Sequence, residues 1–263
     1  MQTIAVANAK GGTGKTTVSV HLAVGLTKAG RRVLLVDLDP QGNAGLWLLG
    51  RLPEKAEGIA EALTSGRLTD SQLQTVPDLD GLRIAPATSK LASADLMLAN
   101  EIGGETILGK ILRARSADFD AVVLDCPPNI GMTVISALCA ADAVISPVLP
   151  AYLTLSGLRT MTDTIARIRE RLNVRTDVLG YVLFAADSRE AITSEAREIL
   201  RQQMGEQLYD AEIRVSTAAK SLPAHRRTAW DKGSDARGLD DYDAFVKETV
   251  QRLERHPSLS AGL

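Results

Sequence analysis

Cysteine is scarce in this chain: Cys126 and Cys139 are the only two in 263 residues. Two thiols are too few for a disulfide scaffold, and their scarcity points to a cytosolic setting. Aromatic residues make up only 3%, which argues against a surface built to stack the bases of single-stranded nucleic acid. Neither sign of charge dominates: 30 Lys and Arg face 32 Asp and Glu, a net charge of −2. The chain is therefore not a general polyanion binder, and any nucleic-acid contact must come from a local patch. No apolar stretch is long enough to span a bilayer. Met1-Gln2-Thr3 runs directly into a short apolar strand, without the pattern of a secretory leader. Internal repeats and low-complexity tracts are also lacking.

What is present is enough apolar material for a large core, 45% of residues. Strand-length apolar runs recur at 4–7, 32–39, 82–87, 121–127, 143–150 and 178–187. Helix-like segments lie between them, notably 18–29, 104–116 and 155–172. Continuous apolar runs suit strands covered on both faces, and their alternation with helices predicts a doubly wound, mainly parallel α/β sheet flanked by helices. Residues 50–80 read as a variable excursion, so the chain is taken as one domain over 1–263. In the last helix, 241–255, Tyr242, Phe245, Val246, Val250 and Leu253 form one stripe, while the polar face mixes signs. That pattern predicts packing against a core rather than membrane attachment.

The chemistry begins at "ANAKGGTGKTT", residues 7–17. Anchored on Gly14-Lys15-Thr16, the phosphate-loop pattern G-x-x-x-x-G-K-[ST] asks for glycine at position 9. Ala9 stands there, with Lys10 beside it. Gly11, Gly12 and Gly14 let backbone N–H groups approach phosphate oxygens, and the positive end of the following helix faces the anion. Lys15 would reach the β- and γ-phosphates, and the Thr16 hydroxyl would take a place on Mg²⁺. A plain glycine turn before a helix explains the glycines but not Gly-Lys-Thr-Thr.

Two strands end in acids beside this loop: "LLVDLDPQGN" (34–43) with Asp37 and Asp39, and "VVLDCPPN" (122–129) with Asp125. Ligands of a doubly wound sheet bind beyond the carboxyl ends of its strands. The three acids are read as metal and water ligands, Asp125 on the Mg²⁺ side and Asp39 orienting the attacking water. His21, His225 and His256 show no metal-ligand spacing, and His21 reads as an ordinary helix residue. Cys126 and Cys139 read as small buried hydrophobes. Trp230 is either a surface contact or a core residue.

The loop "KGGTGKTT", with "VLLVDLDPQGNA" (33–44) and residues 122–158, resembles the deviant Walker-motif ATPases of the ParA/MinD family, in particular its ParA (Soj-like) branch. The resemblance implies a homodimer with two ATP molecules sandwiched between subunits. Lys10 then crosses the interface to the partner's nucleotide, as an arginine finger does in trans. It implies ATP and Mg²⁺ as cofactors and a catalytic set of Lys10, Lys15 and Asp39. The nucleotide would be held by Lys10, Gly11, Gly12, Thr13, Gly14, Lys15, Thr16 and Thr17, and the metal by Thr16, Asp39 and Asp125. Adenine contacts are implied near Asp187 and Arg214, although Ile213 stands where the family has proline.

ParA-like members bind double-stranded DNA non-specifically as ATP dimers and position a cargo with a ParB-like partner that stimulates hydrolysis. The resemblance thus implies a cytoplasmic protein, nucleoid-associated when ATP-bound and without a membrane partner. The DNA candidates are Arg189, Arg214, Lys220, Arg226 and Arg227, with Arg197 and Lys232 nearby; only Asp231 is a local opposite charge in residues 213–233. Two other readings stay open: a membrane-associated spatial regulator of the MinD type, and a metabolic enzyme using the same loop on a small-molecule acceptor.

Overall fold

Side chains of a strand alternate between the two faces of its sheet, so a strand apolar at every position must be covered on both sides. The computed structural model, which describes residues 1–51, 58–150, 154–172, 174–186, 191–214, 216–231, 234 and 236–255, has this arrangement. Its strands are β1 (Gln2–Val6), β2 (Val33–Asp37), β3 (Gln74–Thr75), β4 (Leu82–Ala85), β5 (Ala121–Asp125), β6 (Ala143–Val148), β7 (Asp177–Ala186) and β8 (Ile213–Arg214). They form one sheet in the order β3-β4-β2-β5-β1-β6-β7-β8. All neighbours pair in parallel except β3, which runs antiparallel to β4. Because β5 lies between β1 and β2, Asp125 is in register with both Val6 and Asp37.

The helices are α1 (Lys15–Lys28), α2 (Asn43–Leu49), α3 (Ile59–Ser65), α4 (Ala94–Asn100), α5 (Gly104–Arg113), α6 (Met132–Ala140), α7 (Thr154–Leu172), α8 (Ala191–Met204), α9 (Thr217–Ser221) and α10 (Ala236–Arg255). On one face of the sheet, Ile4, Val6, Leu35 and Val123 pack with Leu22 and Leu26 of α1, Trp47 of α2 and Phe245 of α10. On the other, Ala5, Leu34, Val122 and Leu124 pack with Leu108 of α5, Leu138 of α6 and Leu200 of α8. Helix α1 is buried over most of its circumference, as expected of a helix with little polar face. Its Gly25 lets α10 come close, since a Cβ there would meet Val246 Cγ2 at 2.5 Å.

The stripe on α10 packs into this core: Tyr242, Phe245, Val246 and Leu253 are buried and Val250 is partly so. Each such large side chain is worth about 1.5–3 kcal/mol when fully buried, so little of this apolar face is left for a bilayer. Among the described residues, no helix is long and apolar enough to cross a membrane. Residues 58–80 are built as α3, a short 3₁₀ turn and β3. Strands β3 and β8 have two residues each, too short to show a period in the sequence.

Candidate functional site

The loop after β1 is held by its own polar groups. Asn8 donates to the Pro147 carbonyl at 2.7 Å and accepts the Lys10 N–H at 2.9 Å. The glycines then turn the chain, with Gly12 at φ 73° and Gly14 at φ 87°. Both angles lie in the left-handed region that disfavours side chains. At Gly14 there is a second constraint: a Cβ would meet the Phe184 ring at 2.4 Å.

Lys15 opens α1 and is almost fully buried, at 7% exposure. Its Nζ donates to the Lys10 carbonyl at 3.0 Å. Burial lowers the Lys15 pKa, while the charges of Asp125, Cys126 and Asp39 oppose the shift. Lys10 differs. Its carbonyl also accepts from Thr13 Oγ1 at 3.4 Å, but its half-buried ammonium meets no acid among the described residues.

The acids divide by environment. Asp125 Oδ1 accepts from Ser19 Oγ at 3.0 Å, and Ser19 also donates to the Lys15 carbonyl at 2.9 Å. Burial pushes the Asp125 carboxyl up to about 7; the Thr16 and Ser19 hydroxyls pull against this and the Asp39 charge adds to it. Its Oδ2 is buried without a hydrogen-bond partner. Buried carboxylate oxygens are ordinarily satisfied, so this orphan suits a cation or its water shell. The sequence reading groups Asp37 with the ligands, whereas in the structure its carboxylate is engaged by the backbone. It is fully buried, with Oδ1 taking the Asp39 N–H at 3.2 Å and Oδ2 the Gly45 N–H at 3.0 Å. Both oxygens are thus committed to the turn and to α2, and burial followed by the Asp125 charge raises its pKa well above the usual range. Asp39 is only half-buried; it accepts the Gln41 N–H at 2.9 Å and borders the opening.

Of the groups described, Gly12, Gly14, Lys15, Thr16, Asp39 and Phe184 line a pocket of ≈ 350 Å³, and Asp125 lies buried beneath Ser19 and Lys15 rather than in its lining. Gly11, Thr17, Asn43 and Pro128 complete the lining, and Thr13 within the loop is fully buried. Among the described residues no three His, Cys, Asp or Glu side chains converge as a metal cage. A hydroxyl and one or two carboxylates completed by phosphate oxygens and water is the donor set that suits Mg²⁺. Ser19, Asn43 and Phe184 were not singled out from the sequence. Asn43 lies in a quoted block, whereas Phe184 arrives from β7 and carries no local signal.

The basic candidates separate as well. Arg214 is not a free cation: its guanidinium grips Asp241 through Nε at 2.9 Å, and its backbone N–H donates to the same carboxylate at 2.9 Å. Arg197 is paired with Glu212. By contrast, Lys220, Arg226 and Arg227 are exposed and, among the described residues, without an ion pair. Asp187, Arg189, Lys232 and His256 lie outside the described residues. Cys126 is buried, and burial pushes its thiol well above the ordinary range; half-buried Cys139 is pushed up to about 11.

A parallel sheet whose switch point carries a glycine loop, a buried lysine and flanking strand-end acids defines a phosphate-loop NTPase. Residues 1–178 match the model of a family described as an AAA domain. The chromosome partitioning protein ParA of Myxococcus xanthus is 34% identical over 95% of this chain and 88% of its own length. The sporulation initiation inhibitor protein Soj of Bacillus subtilis is 32% identical over 94% of this chain and 97% of its own. A crystal structure of cobyrinic acid a,c-diamide synthase from Mycobacterium smegmatis, with bound ATP analog and magnesium, superposes with a TM-score of 0.83 at 28% identity, covering 97% of this chain and 96% of that one. The chain belongs to the ParA/MinD family of deviant Walker-motif ATPases, in its ParA (Soj-like) branch.

Proposed function

We propose that the protein is an ATP-hydrolysing dimer switch, Mg²⁺-dependent, that binds duplex DNA without sequence preference in its ATP state and positions a cargo with a ParB-like partner. The observation that carries the reading is the contrast between two lysines of one loop. Lys15 turns inward onto the loop, while Lys10 forms no ion pair among the described residues. A cation left over beside a phosphate pocket is what a second subunit's nucleotide would recruit.

Thr16 and Asp125 would hold the cation, whose chemistry is to neutralise charge building on the transferred phosphoryl group. Asp39, half-buried in the pocket lining, would orient a water. The loop N–H groups and Lys15 bind the phosphates. Lys220, Arg226 and Arg227 are the groups best exposed to meet DNA phosphates, with Arg214 engaged by Asp241. The test is binding of Asp39→Ala protein to random-sequence duplex DNA, with ATP and with ADP, across a salt series. ATP-dependent, salt-sensitive binding is expected; a verified ATP dimer that ignores DNA would overturn the reading.

The likeness to the structure described as a cobyrinic acid a,c-diamide synthase supports a second reading, an ATP-dependent enzyme acting on a small acceptor. It predicts phosphate release that depends on the acceptor, with Lys10→Ala leaving the oligomeric state unchanged.

A further inference from the structure

Fully buried and one turn beyond Thr17, His21 sits among three aromatic side chains, Trp47, Trp230 and Tyr242. Its ring stacks on Tyr242 at 3.6 Å with 6° between planes, meets Trp47 edge-on at 5.4 Å and lies 5.9 Å from Trp230. Trp47 and Trp230 are the only tryptophans of the protein. The polar edge of the imidazole joins two distant segments: Nδ1 is 2.8 Å from the Thr17 carbonyl, and Nε2 is 3.2 Å from the Ala229 nitrogen. A backbone N–H can only donate, so Nε2 accepts from Ala229 and Nδ1 carries the proton that it donates to Thr17. Burial lowers the imidazole pKa to about 4, in keeping with this neutral form.

The segment that His21 reaches is the one that exposes the unpaired arginines. Trp47 Nε1 donates to the Arg227 carbonyl at 2.8 Å. The Asp231 carboxylate accepts from the Thr228 hydroxyl at 3.1 Å, and Ser234 Oγ donates to the Thr228 carbonyl at 2.7 Å. The backbone from Arg227 to Ala229 is therefore pinned at successive residues, while Arg226 and Arg227 remain exposed, Arg226 lying over Gly50 at a cavity rim. Arg226 itself is left-handed, at φ 52°, a conformation that surrounding structure must hold. A cavity of ≈ 840 Å³ opens between the nucleotide side (Thr16, Thr17, Asn43) and the arginine side (Pro223, Ala224, Arg226). His21 and Trp47 bridge these two sides with hydrogen bonds, one starting from the first turn of α1 and the other from α2.

We propose that His21 and Trp47 are positioning residues that transmit the state of the phosphate site, through Thr17 and α2, to the arginine-bearing segment Pro223–Trp230, so that Arg226 and Arg227 are presented according to the bound nucleotide. Thr17 and Asn43 line the phosphate pocket itself, and Asn43 opens the helix that carries Trp47. A shift of α2 reaches Arg227 through Trp47, and one of the first turn of α1 reaches Ala229 through His21, each through one side chain rather than through a deformable loop. The DNA part of the inference rests on the function proposed above; the mechanical part does not.

Two measurements on the full-length protein separate them. The first is intrinsic tryptophan emission with no nucleotide, with ADP and Mg²⁺, and with a non-hydrolysable ATP analogue and Mg²⁺. Both indoles flank His21, so the analogue is expected to shift the emission away from the other two states. Unchanged emission at verified saturation would overturn the relay. The second compares wild type with Trp47→Phe, which keeps the ring and deletes the bond to Arg227. The ratio of DNA affinities between the analogue and ADP states is expected to fall roughly fivefold to tenfold, about the value of one hydrogen bond, with DNA-free ATP turnover unchanged. An equal loss in both states would mark Trp47 as merely structural and overturn the relay. If wild type ignores DNA in every state, the proposed function fails, and the emission measurement still decides the relay.

Discussion

Lys15 Nζ lies 3.0 Å from the carbonyl oxygen of Lys10. One loop lysine is thus held by the backbone of the other, which leaves the Lys10 side chain to other duties. Replacing each separates their roles. Lys15→Ala is expected to weaken ATP binding roughly a hundredfold, since a buried charge-assisted hydrogen bond is worth up to about 3 kcal/mol. Lys10→Ala should retain nucleotide binding by the monomer and lose the ATP-dependent dimer. Calorimetry with ATP, together with light scattering on a sizing column, reads both. Equal dimer populations for Lys10→Ala and wild type would refute action in trans.

Gly14 is constrained twice, by φ 87° and by the Phe184 ring 2.4 Å from where a Cβ would sit. Gly14→Ala should therefore destabilise the fold and impair nucleotide binding together. Adding Phe184→Ala removes the clash but not the backbone cost of about 1–2 kcal/mol. The double variant is expected to recover part of the stability of Gly14→Ala in urea unfolding, and no recovery would show that the ring is not the obstacle.

His21 gives a signed pH dependence. Its pKa is lowered from 6.5 to about 4 in the fold, burial being the main cause. Below pH 6.5 the unfolded chain binds a proton that the native state refuses, so native stability falls as pH drops from 6.5 towards 4. The integrated loss is about 3 kcal/mol. His21→Asn lacks this contribution, so its stability difference from wild type should shrink across that window. Parallel pH profiles for the two proteins would contradict the neutral, buried imidazole.

Arg214 and Arg227 look alike in sequence and should behave differently on DNA. Each exposed cation that neutralises a phosphate adds about 0.9 to the steepness of log K against log salt. Arg226→Ala and Arg227→Ala should each flatten the slope by about that amount. Arg214→Ala, which strips the buried Asp241 of its partner, should lower stability instead and leave the slope nearly intact. Filter binding across a salt series with ATP distinguishes the two behaviours.

How much of this was legible in the sequence follows from distance along the chain. The phosphate loop was readable because its physics is local: adjacent glycines, a lysine and a hydroxyl at the start of a helix. The central strands were readable because the sheet is covered on both faces, which makes each of them a continuous apolar run. The α10 stripe was readable from its helical period.

Tertiary structure alone decided the rest. Asp37 and Asp39 are two residues apart, yet only pairing beside Asp125 and under α2 commits Asp37 to backbone N–H groups and leaves Asp39 at the pocket. Arg214 meets Asp241 from 27 residues away, beyond any local count of charge. His21 reaches Ala229 across 208 residues, and Trp47 reaches Arg227 across 180. Periodicity tells a side chain which face to occupy, but not which distant side chain will meet it there. That choice is made by strand order and helix packing.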